Sequence, residues 1–155
     1  MKPIIAGPFL DKSSLCEPIL RSLPQWFGME ESNIQYLKDI DRFPTFLAYL
    51  ENHVCGFLTL KLHNPFSAEI HVMGVHPALH HQGIGKALAN QAERYLFQQG
   101  FQYVQVKTLG DSDPDENYAR TRSFYLAMGF KPLEETNRIW GAQNPCLILV
   151  KCLHH

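Results

Sequence analysis

The segment with the clearest chemical potential is a pair of glycines where an apolar run gives way to a helical pattern. Residues 69–88 read EIHVMGVHPALHHQGIGKAL, with Gly83 and Gly85 directly before the helix-like spacing. Glycines let a backbone approach a ligand closely, and the first N–H groups of a helix lack a partner within it and carry the positive end of its dipole. The pattern therefore favours a diphosphate site, although the same glycines would also serve a tight turn that binds nothing.

Two well-known phosphate-binding patterns do not match these residues. A dinucleotide fold needs a third glycine, where this sequence has Leu88, and an acidic residue near the end of the next strand, where residues 104–108 have none. A P-loop needs Ser or Thr after Gly-Lys and a glycine five positions before the second glycine, but Ala87 and His80 occupy those positions. What remains is the general capacity of main-chain amides at a helix start to hold phosphate.

Two segments resemble motifs of the GNAT superfamily of N-acetyltransferases. Residues 80–85, HHQGIG, resemble its motif A, usually written Q/R-x-x-G-x-G/A, with His at the first position instead of Gln or Arg. Residues 117–130, NYARTRSFYLAMGF, resemble motif B, a helix with Tyr125 four residues before Gly-Phe. The stretches LPQWFGMEE and NPCLILVK are similar to one bacterial subgroup of uncharacterised acetyltransferases. The resemblance implies acetyl-CoA, or coenzyme A, as cosubstrate and no metal.

The resemblance also implies which residues bind the cosubstrate. The pantetheine arm would pair with the backbone of the strand before the turn, and the diphosphate would lie on the amides of the turn and the helix start. An Asn near the start of the motif B helix contacts pantetheine in many relatives, although Asn117 would equally serve as a helix cap. The residues implied are Met73, Gly74, Val75, His80, His81, Gln82, Gly83, Ile84, Gly85, Lys86, Ala87, Asn117 and Tyr118.

Acetyl transfer to a primary amine requires a general base for the amine and a general acid for the leaving thiolate. Glu69 is the first candidate for the base, because its spacing to Gly83 matches that of the catalytic Glu in histone-modifying relatives. His71 is the second, as a relay through water, and strand alternation predicts one shared face for Glu69, His71, Met73 and Val75. Tyr125 is the candidate acid, since the family's tyrosine at this position reaches the CoA sulfur. Each also has a structural alternative as a strand-end carboxylate or a packing residue.

These residues must be positioned by an α+β fold, a mixed, mostly antiparallel central sheet flanked by helices in the order β-α-α-β-β-β-α-β-α-β-β. Asp11 is the expected N-cap of the first helix, and the last two strands form a hairpin of which only the second has a clear pattern. The strands are expected at 3–9, 45–50, 54–62, 69–76, 101–109 and 144–153, and the helices at 11–23, 30–40, 84–99 and 117–128.

The composition predicts one domain over residues 1–155, with 45% hydrophobic and 19% charged residues. A net charge of −1 gives no sign of a nucleic-acid or membrane partner. The four cysteines form no C-x-x-C pair, the N-terminus does not have the pattern of an export signal, and no apolar run approaches the ~18 residues of a membrane span. We expect a reduced cytoplasmic protein, monomer or homodimer, without a cysteine nucleophile.

The expected activity is direct acetyl transfer to a primary amine, with a small molecule or a peptide as acceptor. Two alternatives remain open at this point: a non-catalytic CoA-binding or regulatory module, and an acetyltransferase of protein N-termini or lysines. The aromatic side chains that could line an acceptor pocket are Trp26, Phe27, Tyr36, Phe66 and Trp140. The histidines at 76, 80 and 81 lie around a turn with no Cys or acidic partner nearby, so we expect no metal site there.

Overall fold

A computed structural model describes residues 2–154. Its elements are β1 (Ile4–Phe9), α1 (Ser13–Arg21), α2 (Glu30–Arg42), β2 (Thr45–Leu50), β3 (His53–Leu62), β4 (Ser67–Val75), a short 3-10 helix (Pro77–Leu79), α3 (Ile84–Gln98), β5 (Tyr103–Leu109), α4 (Glu116–Ala127), β6 (Lys131–Thr136) and β7 (Cys146–Cys152). The order agrees with the sequence prediction, and β6 is the strand for which no clear pattern was found.

The seven strands form one mixed sheet in the order β1-β2-β3-β4-β5-β7-β6. Only the β4–β5 pair is parallel; the other neighbouring pairs are antiparallel. Helices cover both faces of the sheet. One core packs under α3 and α4, where α3 buries Leu88, Ala92 and Leu96, and the other packs under α1 and α2 around Leu20 and Ile40. The predicted fold class is confirmed.

The start of α1 differs from the sequence prediction because its cap comes from a distant segment. Asp11 has a positive φ of 59° and lies before the helix, which begins at Ser13. The cap is Asp41, at the end of α2: its Oδ1 accepts a hydrogen bond from the Ser13 N–H at 2.9 Å, and its Oδ2 accepts one from Ser13 Oγ at 2.8 Å. A local cap rule cannot find a carboxylate that is 28 residues away.

Strand β4 contains a β-bulge, and for this reason the predicted face is wrong. Thr59 of β3 lies opposite Val72, whereas the next residue, Leu60, lies opposite Ile70, so His71 is the extra residue. Before the bulge, Ile70 faces the α3–α4 core and the neighbouring Glu69 therefore faces the α1–α2 side. After it, Met73 and Val75 pack on the α3–α4 core while Val72 lies in the other one. Glu69 and His71 thus share the α1–α2 side, and Met73 and Val75 share the opposite side.

The sheet opens beyond this bulge. β5 pairs with β4 only from Ser67 opposite Tyr103 to Ile70 opposite Val106, although β4 continues to Val75. On its other edge β4 remains paired with β3 up to Val75. The last residues of β4 therefore present one paired edge and one edge that β5 leaves unpaired. No helix among the described residues has the length and apolar character needed to cross a membrane.

Candidate active site

A cavity of about 750 Å³ lies where the end of β4, the glycine turn, the start of α3 and one side of α4 meet. Its walls include three stretches of the predicted cofactor site together with the predicted acid, Tyr125. The predicted residues that line it are Met73, Gly74, Val75, His80, His81, Gly83, Ile84, Gly85, Lys86 and Tyr125. The fold thus brings together at one cavity residues that are up to 52 positions apart in the sequence.

The glycine turn directs main-chain amides toward this cavity. Gly83 is the N-cap of α3 in a left-handed conformation, with φ of 83°, and the N–H of Ala87 is the first to bond back into the helix, to Gly83 O at 3.0 Å. The N–H groups of residues 84–86 therefore have no carbonyl partner within the helix. A Cβ on Gly85 would lie 3.5 Å from the Phe124 ring and 3.7 Å from Met73 Cε, so the glycine keeps a cradle between cavity walls open.

The unpaired edge of β4 supplies the second part of the site. Beyond Ile70 its backbone has no strand partner on the β5 side, so an extended arm with amide groups could pair there like an added strand. His80 secures the end of this strand, because the carbonyl of Val75 accepts a hydrogen bond from His80 Nε2 at 2.7 Å. A carbonyl can only accept, so Nε2 carries the proton. The His that departs from the family pattern therefore fixes the turn against β4.

Tyr125 forms part of the cavity wall between two aromatic rings. Only 5% of the residue is exposed, and its ring makes edge contacts with Phe124 and Phe130 at centroid distances of 5.2 and 5.5 Å. Burial raises the pKa of Tyr125 above its ordinary value, because the phenolate would be poorly solvated. The phenol therefore keeps its proton at neutral pH and has one to donate.

The two candidate bases lie outside this cavity, on the α1–α2 side of the sheet. Glu69 is 5% exposed, and its Oε1 lies 2.9 Å from Lys107 Nζ and 2.7 Å from His63 Nε2. The imidazole of His71 hydrogen-bonds through Nε2 to Asp39 Oδ2 at 2.8 Å. The sequence did not indicate Asp39, because the contact joins residues 32 positions apart.

The comparisons with known proteins agree with this geometry. The acetyltransferase model of the GNAT family matches residues 15–130, which is well over half of the chain. The protein belongs to the GNAT acetyltransferase family.

Solved structures share the fold of this GNAT chain over nearly its whole length. A GNAT-family protein from Desulfovibrio desulfuricans has a TM-score of 0.85 at 16% identity, covering 99% of this chain and 100% of that one. The ribosomal-protein alanine N-acetyltransferase of Escherichia coli gives 0.79 at 13% identity, covering 99% and 96%. An aminoglycoside 6'-N-acetyltransferase complexed with coenzyme A gives 0.74 at 16% identity, covering 98% of each chain. No curated protein matches the sequence.

Four residues of the predicted cofactor set are not brought to the cavity of this GNAT chain. Gln82 and Ala87 are not among its lining residues, and the Ala87 N–H is already donated to Gly83 O. Asn117 and Tyr118 do not line it either. The cap of α4 is Asp115, whose Oδ1 accepts from the Asn117 N–H at 2.7 Å, so the alternative prediction that Asn117 caps this helix is wrong.

Helix α4 supplies cavity residues that the sequence prediction missed. Arg120 adds a cation near the cavity in addition to Lys86, and Thr121, Ser123 and Phe124 add further wall. The helical spacing from Arg120 to Phe124 was the available signal, since residues four apart lie on one side of a helix. Of the proposed acceptor-pocket aromatics, Trp26 and Phe27 line the cavity.

Trp26 is held against α4 by two hydrogen bonds. Its Nε1–H donates to Thr121 Oγ1 at 3.0 Å, and its carbonyl accepts from the Tyr118 hydroxyl at 3.3 Å. Partial burial raises the pKa of Tyr118 to about 12, so this hydroxyl remains a donor at neutral pH. Tyr118 therefore does not line the cavity but holds Trp26, which does, in place.

A second cavity, about 790 Å³ in volume, lies between the loop before α4 and the β6–β7 connection. Its lining is mostly polar and includes Asp113, Glu134, Glu135 and Arg138. It contains neither the glycine turn nor Tyr125, so we do not assign the cofactor to it. Within residues 2–154, no group of three or more His, Cys, Asp or Glu side chains is arranged to hold a metal ion.

Proposed function

We propose that this protein is an acetyl-CoA-dependent N-acetyltransferase that transfers acetyl directly to the primary amine of a small molecule. One observation carries the proposal: the free amides at the start of α3, the unpaired edge of β4 and the Tyr125 ring all border one cavity. Amides at a helix start suit a diphosphate, and a free strand edge suits the amide-containing pantetheine arm. A cavity built from these parts would hold coenzyme A with its sulfur near Tyr125.

In this proposal the backbone of Met73, Gly74 and Val75 binds the pantetheine arm. The amides of the turn and of the first residues of α3 hold the diphosphate, and Lys86 and Arg120 add positive charge near it. Gly85 lets the diphosphate approach, because the space that a side chain would occupy lies between cavity walls. Bound acetyl-CoA supplies the activated acetyl group.

Tyr125 acts as the general acid and gives its proton to the departing sulfur. The raised pKa supports this role, because the group is fully protonated before it donates. The base acts from the α1–α2 side, where Glu69 and His71 lie, and receives the proton of the amine through water. The opening between β4 and β5 beyond Ile70 supports such a path between the two sides of the sheet.

Of the two enzymes described above, one is named for an aminoglycoside acceptor and the other for the alanine of a ribosomal protein. We favour a small molecule because the cavity wall formed by Trp26 and Phe27 is held close to α4 by the hydrogen bonds of Trp26. We further propose that the protein acts in the cytoplasm without a metal.

The test combines binding with turnover. Calorimetric titration with coenzyme A should show one site, and a thiol-release assay with acetyl-CoA and a panel of polyamines, aminoglycosides, amino acids, peptide N-termini and lysine peptides should show turnover with a small amine. Turnover only with peptides would replace the small-molecule acceptor by a protein. Tight binding of coenzyme A without thiol release for any amine would favour a regulatory CoA-binding module, and absence of binding would refute the proposal entirely.

A further inference from the structure

The α1–α2 side of β4 carries a pair of titratable groups that the family motifs do not include. Asp39, in the last turns of α2, is 8% exposed, and both of its carboxylate oxygens are engaged. Oδ1 lies 2.9 Å from Gln35 Nε2, and Oδ2 lies 2.8 Å from His71 Nε2. His71 is also packed edge-on between the rings of Tyr36 and Phe43, at centroid distances of 5.7 and 5.8 Å.

These contacts determine the tautomer of His71. An ionised carboxylate can only accept hydrogen bonds, so the proton of the neutral imidazole must be on Nε2. Nδ1 then carries the lone pair, and within residues 2–154 it has no hydrogen-bond partner. With 19% of its side chain exposed, His71 is oriented as a proton acceptor that water can reach.

Glu69, by comparison, is poorly arranged to accept a proton from the amine. Its Oε1 interacts with both Lys107 Nζ and His63 Nε2. Glu69 is four positions from Met73, or roughly 13 Å at about 3.3 Å per residue, whereas His71 is two positions and only about 7 Å from Met73 along the strand. His71 is therefore closer to the β4 segment at which the acetyl group would be held.

We propose that His71 is the general base of this acetyltransferase and that Asp39 is a positioning residue that holds it in the Nε2–H tautomer. The inference rests on the proposed function and deepens it. His71 Nδ1 takes one proton from the ammonium group through water. The freed nitrogen lone pair forms the N–C bond as the C–S bond breaks, and Tyr125 gives its proton to the sulfur. The second amine proton returns to the Tyr125 oxygen, and His71 releases its proton to solvent, so that ammonium and thioester yield amide, thiol and one proton.

The isosteric Asp39→Asn substitution tests this pairing, because Gln35 Nε2 donates to the Oδ1 position. With that donor in place, the Asn oxygen takes the Oδ1 position and the Asn NH₂ faces His71 Nε2. That NH₂ can only donate, so the proton of His71 moves to Nδ1. Long-range ¹H–¹⁵N spectra, assigned with a His71→Gln sample, should show the Nε2–H pattern in the parent and the Nδ1–H pattern in Asp39→Asn.

The value of kcat should fall in each variant in which His71 is absent or no longer carries its proton on Nε2. His71→Gln should lower kcat about 10²–10⁴-fold, and Asp39→Asn should approach the same loss with an unchanged Kd for coenzyme A. Adding Gln35→Leu to Asp39→Asn removes the fixed donor, so the amide can rotate and both the Nε2–H pattern and part of kcat should return. His53→Gln, at an exposed position at the start of β3, is a matched control with parental kcat.

A parent protein in which the His71 proton is on Nδ1 would overturn the proposal. Parental kcat in His71→Gln, or in Asp39→Asn despite the changed tautomer, would overturn it as well. If the parent binds coenzyme A but acetylates no amine, the proposed function itself fails, and the role of His71 fails with it. If the parent acetylates an amine but His71→Gln and Asp39→Asn keep parental kcat, only the roles of His71 and Asp39 fail and the proposed function stands.

Discussion

The glycine turn allows stability and cofactor binding to be separated by two neighbouring substitutions. At Gly83 a methyl group would meet no atom within 4 Å, but φ is 83°, which a residue with a Cβ adopts at a cost. At Gly85 the conformation is helical, and the methyl group would make ordinary contacts with Phe124 and Met73 while occupying the cradle. We therefore expect Gly83→Ala to lose stability and Gly85→Ala to lose coenzyme A affinity.

The magnitudes follow from these geometries. A left-handed conformation costs a residue with a Cβ about 1–2 kcal/mol, and at roughly 2–4 °C per kcal/mol for a chain of this size the melting temperature of Gly83→Ala should fall about 2–8 °C. Gly85→Ala should gain up to about 1 kcal/mol of helix propensity. Displacing the diphosphate from one amide removes a charge-assisted hydrogen bond of about 1.5–3 kcal/mol, or roughly a 10- to 150-fold increase in Kd.

Thermal unfolding by circular dichroism and calorimetric titration with coenzyme A measure the two quantities on the same samples. Gly100→Ala is the matched control, since Gly100 lies just after the other end of α3 with φ of 90° and open space around it. It should lose about as much stability as Gly83→Ala and keep parental affinity. If Gly85→Ala binds coenzyme A as tightly as the parent, the diphosphate does not lie on this helix start, and the assignment of the cavity is refuted.

Three further substitutions test other parts of the structure. Tyr125→Phe should lower kcat about 10²–10⁴-fold in the thiol-release assay without changing the Kd for coenzyme A; parental kcat would exclude Tyr125 as the acid. Lys151 Nζ donates to Met128 O at 2.6 Å and to Glu93 Oε1 at 2.7 Å, so Lys151→Met should lose about 1–3 kcal/mol in urea unfolding, and an unchanged midpoint would contradict this. Burial raises the pKa of Cys16 from 9.0 to about 12. Because the unfolded thiol ionises first, the unfolding free energy should fall between pH 9 and 12, and Cys16→Ala should lessen this slope by up to about 1.4 kcal/mol per pH unit.

Local patterns predicted most of the elements because most of the signals are local. The helical spacing from Ile84 and the stop at Gly100 correspond to α3, and the two apolar runs around residues 51–53 form the β2–β3 hairpin. The bounds of β6 were not predicted, because it is an edge strand with largely exposed residues, including Leu133. Such a strand lacks the alternation between buried and exposed positions that a half-buried strand shows.

The site was less accessible to sequence reasoning where it depends on contacts between distant segments. The motifs indicated the turn and Tyr125, which the fold brings to one cavity. The shared face for Glu69 and Met73 failed, because alternation assumes an uninterrupted strand and the inserted residue at the bulge becomes visible only in the pairing with β3. Nothing in the sequence gave a reason to select Asp39, because its role depends on the contact with His71, which only the fold creates.

The bulge in β4 places the proposed acetyl donor and the proposed base on opposite sides of the sheet. Without the extra residue, the alternation of β4 would turn His71 and Met73 to the same face of the sheet. With it, Met73 faces the cavity beside α3 and α4, while His71 faces Asp39 on α2. The thioester and the base can then be held by different helices, and they meet only where β5 separates from β4 after Ile70. An amine entering at that opening would have the acetyl group on one side and the proton acceptor on the other, so one inserted residue would separate donor binding from proton removal.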